Sequence, residues 1–558
     1  MVRSPRPATI DVSAGLPIEL RDPAVRQNTL AAWSIHLGRA VNDPVALRRQ
    51  LGDGDLASTA AATARRRPGA PALEVAGAGI SHGRLDHEVG LAAASLRRLG
   101  LGPGQAVLVM MESVLAAVVA YLGAIRTGSA VVLAGSSHTQ AEIRHMAAAA
   151  DVDVIVGSGA GLETAIAAAH ASVRDVAGLS SDDRHMTPLL LSDLAGEPHD
   201  PEPLDPDAPA ILAFTSGTTG RPKCTPLTHR NLLASIRAAM WAWRWRPNEH
   251  VVHALPLSHQ HGLSAIHATL LSGGRATVLE RFDTRRLIDT IVEQRPTALF
   301  AVPAMHERLL HDLGDDVRHL GMLRFFTSGS APLSISLAHR VERATGQLPL
   351  ERYGSTEAGL NVSNPLNGPR IAGSIGVPLP GVEIALADGV ETVWAPDRPG
   401  ELLIRGPQVF AGYRDAASTD VFRSGWFRTG DIAVLDGRTG YLRIVGRSKE
   451  MIITGGMNVY PREVEDVLSS GRGVEDVAVV GVPSERWGEE VVAFVSPANV
   501  PTDSLADLAA QALAPYKRPK RIMALDAIPR TDLGKVIVSA LIEAAAGHPD
   551  WMLPPGRI

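Results

Sequence analysis

Thr215-Ser216-Gly217-Thr218-Thr219-Gly220-Arg221-Pro222-Lys223 follows the short apolar run Ala210–Phe214. The run reads as a buried strand, and the stretch after it as a loop dense in hydroxyls and glycine that ends on a lysine. Glycine lets backbone N–H groups approach a phosphate, hydroxyls donate hydrogen bonds, and lysine adds charge. The GxxxxGK[ST] spacing of a Walker loop is absent. Taken alone, the stretch reads equally well as an ordinary polar turn.

Upstream, the strand has companions. Ala106–Met111 is a second apolar run. Ser113 is placed to cap the helix after it and Gly128 to stop that helix. Ala130–Leu133 is a third strand, and Val152–Val156 a fourth after an alanine-rich helix. Strand, helix and strand at this spacing predict βαβ units and a mostly parallel sheet, hence an α/β fold. Another helix begins near Ala57 and ends at Pro68-Gly69, and residues 1–55 read as an appended extension with helical content. Proline and acidic residues crowd Glu197–Pro209, a surface loop just before the glycine-rich stretch.

Downstream, α/β signals continue to about Val341–Thr345. From Gly373 to Val445 glycines and short β-type runs predict a small β-rich subdomain. The charged segment Arg447-Ser448-Lys449-Glu450 then opens a compact module that runs to about Ala546. The expected division is an extension at 1–55, a large domain at 56–446, a small one at 447–546 and a tail at 547–558.

Composition narrows the class. The chain has 558 residues, 45% hydrophobic and 20% charged, which fits a globular protein of more than one domain. A formal charge of −5 supplies no basic field for nucleic acid and no polybasic membrane patch. Met110–Ile125 is apolar but interrupted by Glu112, so it reads as buried rather than membrane-spanning. The first residues carry no apolar core of a secretory signal. A single cysteine, Cys224, permits no internal disulfide and predicts a reducing, cytoplasmic setting.

Four more segments carry possible chemistry. Glu351-Arg352-Tyr353-Gly354-Ser355-Thr356-Glu357 sets a ring, hydroxyls and carboxylates close together; Tyr353 suits stacking on a base, Thr356 a phosphate, and Glu357 a hard cation such as Mg²⁺. Gly425–Asp431, Gly446–Pro461 and Pro529–Lys535 follow. Each alone passes as a turn or strand end. In this order they resemble the adenylate-forming superfamily of acyl-CoA synthetases, luciferases and peptide-synthetase adenylation domains, over nearly all of the chain after about residue 56. Within it, LPLSHQHGL and ERYGSTEAGLNVSNPLNGPRIAGSIGVPLPGV look most like malonyl-CoA synthetases and related acyl-CoA ligases.

The resemblance implies a large N-terminal domain of stacked sheets flanked by helices and a small mobile α+β C-terminal domain above it. It implies an acid–thiol ligase using ATP, Mg²⁺ and coenzyme A on a small-molecule carboxylic acid. The alternatives are a ligase that loads a carrier protein and a non-catalytic acyl-adenylate binder. Thr215, Ser216, Gly217, Thr218, Thr219, Gly220 and Lys223 would cradle the ATP phosphates, and Gly329, Ser330, Ala331, Pro332 and Glu351, Arg352, Tyr353 would line the adenine. Gly354 and Ser355 belong to the same nucleotide segment. Asp431 would accept from both ribose hydroxyls, which a carboxylate can do, and Arg447 would reinforce it. Thr356 would meet the α-phosphate, and Glu357 with Thr218 would hold Mg²⁺. Lys535 would be the main catalyst of adenylation. Rotation about Lys449 would replace it with a thiol tunnel lined by Gly455 and Gly456. His259 would gate acid pocket and tunnel; the spacing of His259, His261 and His267 matches no zinc motif.

The sequence departs from the family where glycine usually follows the phosphate-loop lysine. Here Cys224-Thr225-Pro226 stand. A side chain and a proline there would stiffen the loop and favour a further alternative, an enzyme that only forms thioesters from a ready-made adenylate. For the acid, Arg308 is the candidate partner of a second carboxylate, whereas small residues at Ser258, Ala331 and Ser355 would equally admit a bulky hydrophobic acid.

Overall fold

In the computed structural model the described residues are 23–38, 41, 43–111, 113–135, 138–158, 175–178, 197–215, 222–389, 391–392, 396–414, 421–484, 486–530 and 536–547. Ser216 to Arg221 and Thr531 to Lys535 lie outside them, and with them most of the expected phosphate loop and the expected catalytic lysine.

The βαβ pattern is present where the sequence places it. Ala106–Met110, Val114–Thr127, Ala130–Leu133 and Val154–Gly157 succeed one another as strand, helix, strand and strand, with the helix Gln140–Ala149 between the last two. Ala106–Met110 pairs in parallel with both Ala130–Leu133 and Val154–Gly157. The apolar helix Val114–Thr127 is buried along most of its length, as a helix between sheet and neighbouring helix must be. These strands belong to a six-stranded sheet that ends in Pro209–Thr215 and its antiparallel partner Lys223–Thr228.

A second, nine-stranded sheet carries a parallel run through Arg275–Val278, His250–His253, Ala298–Phe300, Phe325–Ser328 and Leu350–Ser355. Parallel strands deliver their carboxyl ends to one edge, and the loops leaving that edge are where open α/β sheets bind ligands. The β-rich texture after Gly373 becomes an antiparallel sheet built on Glu383–Asp388, Gly400–Arg405, Trp426–Leu435 and Leu442–Arg447. The small C-terminal domain has its own five-stranded sheet, centred on Asp476–Ser484 and Gly488–Ser496. The molecule is thus the α/β architecture expected, a large N-terminal domain of sheets and helices with a smaller C-terminal domain. Among the described residues no helix is long and apolar enough to cross a membrane.

The described part of the extension is helical, at Pro23–Leu37 and Pro44–Leu51, and packs into the main body. Trp33 is fully buried and its indole N–H donates to the Val382 carbonyl at 2.8 Å. Arg48 pairs with Glu383.

Cys224 corrects an expectation. It lies in the strand Lys223–Thr228 opposite Phe214, and its side chain is wholly buried with Leu108, Met110, Val132 and Leu212. The thiol therefore faces the core, and Pro226 lies within the same strand opposite Leu212. The steric reason for an impaired loop is gone. Cys224→Gly is accordingly expected to destabilise the protein by about 1–3 kcal/mol, through lost packing and a more flexible strand. It is not expected to raise pyrophosphate release. Thermal melts beside a pyrophosphate assay check this, and a faster variant of undiminished stability would restore the stiff-loop idea.

Candidate nucleotide site

Leu350–Ser355 lies beside Phe325–Ser328, with Ser328 opposite Glu351. In a strand, side chains alternate between faces, so Glu351 and Tyr353 share one face and Arg352 takes the other. On the first face the Tyr353 hydroxyl donates to Asp431 Oδ2 at 2.5 Å. Arg447 Nε donates to the other carboxylate oxygen at 2.9 Å. Asp431 and Arg447 face each other on adjacent antiparallel strands. Thr429 Oγ1 accepts from the Asp431 N–H at 3.0 Å and fixes the local turn. Burial, then the Asp431 charge, push the Tyr353 phenol well above its usual pKa, so it remains a donor. Each carboxylate oxygen keeps a second lone pair, and Asp431 therefore fits a vicinal diol.

A second cluster forms at the end of the same strand. Tyr413 donates to Glu357 Oε1 at 2.8 Å, and Lys223 Nζ stands 4.9 Å from the centre of the Tyr413 ring. The backbone ties this cluster together: Phe410 N–H donates to the Glu357 carbonyl at 2.8 Å and Arg414 N–H to the Cys224 carbonyl at 3.0 Å. The other Glu357 oxygen has no hydrogen-bond partner among the described residues, which fits a hard cation seeking oxygen ligands. Lys223 and Glu357, 134 positions apart in the chain, thus share one tyrosine.

The loop after Phe325–Ser328 holds Gly329, Ser330, Ala331 and Pro332. Ser330 is in the left-handed region at φ 68°, a strained choice for a residue with a side chain. His261 Nδ1 and Ser330 Oγ are 3.1 Å apart. His259 stands at the N-cap position of the helix Gln260–Ser272 without a side-chain capping bond, and burial lowers its pKa. His267 lies deeper, 2.8 Å from the Tyr121 hydroxyl.

The small domain docks against this loop. Arg462 donates to the Leu333 carbonyl at 2.7 Å from the helix Pro461–Leu468. It also attracts the buried Glu351 carboxylate, yet burial dominates and raises that pKa from 4.5 to about 8. Below the unfolded value Glu351 is neutral in both states. Between 4.5 and about 8 only the unfolded chain ionises, so stability falls as pH rises through this window and levels off above it. Glu351→Gln removes this loss. Its stability advantage over the wild type is expected to grow from pH 5 to pH 8 in paired thermal melts, and a difference that stays constant contradicts it.

Other expected residues are placed as follows. Lys449 lies in the turn just after the strand Leu442–Arg447, where Ser448 N–H donates to the Gly430 carbonyl at 2.7 Å. Gly455 and Gly456 have φ of 57° and 77° and form the two-residue turn between Ile452–Thr454 and Met457–Val459. Positive φ at both positions is what such a hairpin needs, so their glycine identity has a structural cause of its own. Arg308 is not gathered into the site. Its side chain is 59% exposed, 5.1 Å from the Phe282 ring centre and 3.8 Å from Asp312. Arg352 lies on the strand face opposite Tyr353, with its guanidinium against Gly329. Ser216, Gly217, Thr218, Thr219, Gly220 and Lys535 are outside the described residues. Tyr413, Arg462 and Trp487, whose ring packs against Gly455, went unread, for they lie in no motif and only the fold brings them in.

Taken together, the sheets, the small C-terminal domain and a buried carboxylate suited to a diol define a two-domain α/β protein fitted to hold a nucleotide. The chain belongs to the family of AMP-binding enzymes: that family's model matches residues 60–414, and the model of the AMP-binding enzyme C-terminal domain matches 463–535. It is similar to a feruloyl-CoA synthase of Amycolatopsis sp, 32% identical over 85% of this chain and 96% of that protein. A mitochondrial malonate–CoA ligase of Mus musculus is 36% identical over 60% of this chain. The match spans 64% of the length of that relative and of a long-chain-fatty-acid–CoA ligase of Escherichia coli O157:H7. Among solved structures, ATP-bound MatB from Rhodopseudomonas palustris superposes with a TM-score of 0.81 at 33% identity, over 88% of this chain and 98% of that one. The amide bond synthetase McbA from Marinactinospora thermotolerans gives 0.80 at 27% identity, over 88% and 99%.

Proposed function

We propose that this protein is an acid–thiol ligase, which activates a carboxylic acid with ATP as an acyl-adenylate and passes the acyl group to coenzyme A. The observation that carries the reading is the Tyr353–Asp431–Arg447 group beside the Lys223–Tyr413–Glu357 cluster, one suited to ribose and the other to phosphate and cation. Membership in the AMP-binding family and the coenzyme A ligases among its relatives support it.

In this reading Asp431 holds the ribose hydroxyls and Tyr353 faces the base with Gly329–Pro332. Lys223 and the Thr215–Gly220 stretch take the β- and γ-phosphates, and Thr356 the α-phosphate. Mg²⁺, held by Glu357 and Thr218, would neutralise phosphate charge. Lys535 stabilises the charge that gathers as the acid attacks, and stabilising that state more than the ground state is what accelerates the step. The small domain then turns at Lys449 and presents Gly455–Gly456 to the thiol, past His259. The domain limits at 56, 447 and 546 and a cytoplasmic setting belong to the same reading.

The test is a panel of acids, each offered free with ATP and coenzyme A and as its synthetic adenylate, with acyl-CoA detected by mass. Acyl-CoA and AMP from free acid support the ligase. Product from adenylates alone would mark a thioester-forming enzyme, and none from either would end the proposal.

A further inference from the structure

The Pro222–Lys223 peptide is the point where the glycine-rich stretch enters the strand Lys223–Thr228. Proline fixes its own φ, so the one soft backbone angle left at Pro222 is ψ, and ψ turns the carbonyl. That carbonyl is held. His145 Nε2 lies 2.8 Å from the Pro222 oxygen. A carbonyl oxygen only accepts, so the imidazole donates through a proton on Nε2. The same ring stands edge-on to Phe214, with centroids 6.2 Å apart and planes at 70°. Phe214 is opposite Cys224 in the antiparallel pair. One histidine therefore meets both the strand that leads into the glycine-rich stretch and the residue that ends it.

His145 stands on a rigid support. Its helix, Gln140–Ala149, opens on a capping box between Thr139 and Glu142. Ile143, Met146 and Ala147 sink one face of that helix into the core that also takes Cys224 and Leu212. His145 flanks this face and is partly buried. What its bond governs is Lys223. The peptide plane that carries the Pro222 carbonyl also carries the Lys223 N–H, so turning the plane swings the root of the lysine. The tip is guided separately, with Nζ 4.9 Å from the centre of the Tyr413 ring and the Tyr413 hydroxyl 2.8 Å from Glu357. A long side chain guided at root and tip has less freedom to lose when it meets a phosphate.

We propose that His145 is a positioning residue for the nucleotide phosphates: through the Pro222 carbonyl it sets the direction in which Lys223 meets the β- and γ-phosphates. The assignment rests on the ligase reading and deepens it. His145 acts through Lys223 and not on the reacting atoms. It lies in the alanine-rich helix, outside every segment that carries chemistry, and only the fold brings it to Pro222.

The experiment is isothermal titration of the full chain with α,β-methylene-ATP and Mg²⁺ and, separately, with AMP. Base, ribose and α-phosphorus are common to both, so the ratio of the two affinities isolates the β- and γ-phosphates. His145→Phe keeps a ring against Phe214 and removes the donor. It is expected to weaken the triphosphate analogue about 3–10-fold, the worth of one neutral hydrogen bond, and to leave AMP unchanged. His145→Gln, whose amide nitrogen can take the place of Nε2, is expected to recover most of that loss. His145→Asn is one methylene shorter and is expected to recover none. An unchanged ratio in His145→Phe, an equal loss for AMP, or Gln no better than Asn would overturn the assignment and leave His145 a packing residue. Circular dichroism melts check that the variants fold, and if His145→Phe does not, Gln against Asn decides. A wild type that binds neither nucleotide would sink the ligase reading and this assignment with it. A wild type that binds both, with a ratio indifferent to His145, would sink the assignment alone.

Discussion

Lys535→Ala is expected to lower acyl-adenylate formation by about 10²–10³, the usual loss for a group aimed at developing charge. Thioester formation from a synthetic acyl-adenylate is expected to stay near the wild-type rate. The asymmetry follows from the two-pose scheme, in which the lysine is present for the first reaction and withdrawn for the second. Folding is not at stake. The flanks of the segment are anchored, with Arg530 and Val536 bridged as antiparallel partners and Arg530 gripping both oxygens of Asp476 at 2.7 and 2.8 Å. Single-turnover measurements of each half-reaction check the result. Equal losses in both steps, or none in either, would remove the proposed role.

Much of the fold was legible because its signals are local. Ala106–Met110 and Ala130–Leu133 are uninterrupted apolar runs, and a strand buried on both faces needs nothing else to be recognised. Glycine density after Gly373 announced the antiparallel subdomain for an equally local reason. The site was legible only where the chemistry sits in one segment, as in Glu351–Glu357. Tyr413 joins Lys223 to Glu357 without belonging to either motif, and no spacing rule reaches across the 56 positions between Glu357 and Tyr413. Arg308 shows the other limit: from the sequence it is an arginine in a plausible place, and only the fold shows its side chain exposed and near Asp312. Cys224 misled because loop and strand were divided one residue late: the loop's last residue, Lys223, already begins a strand, and the residue after a loop faces whichever side that strand dictates.

Asp431→Ala is expected to slow both half-reactions by about 10²-fold or more, the range for removing one preorganised hydrogen-bonding group from an active site. The carboxylate accepts from Tyr353 at 2.5 Å and from Arg447 at 2.9 Å, and in the proposed complex it also accepts from the ribose. Alanine removes all of these acceptors at once and leaves the partly buried Tyr353 phenol without its acceptor. Asn is expected to serve little better, because its amide would point N–H groups at a tyrosine or an arginine that also donates. Both the ATP needed for adenylation and the acyl-adenylate consumed in thioesterification carry the same ribose, so the loss falls on each step. Lys535→Ala, by contrast, separates them. The melting-point rise caused by a non-hydrolysable ATP analogue should shrink in Asp431→Ala, since that rise reports ligand affinity directly. If Asp431→Ala keeps the full rise, or slows only one of the two reactions, then the Tyr353–Asp431–Arg447 group is a structural clasp between strands and the nucleotide is held elsewhere.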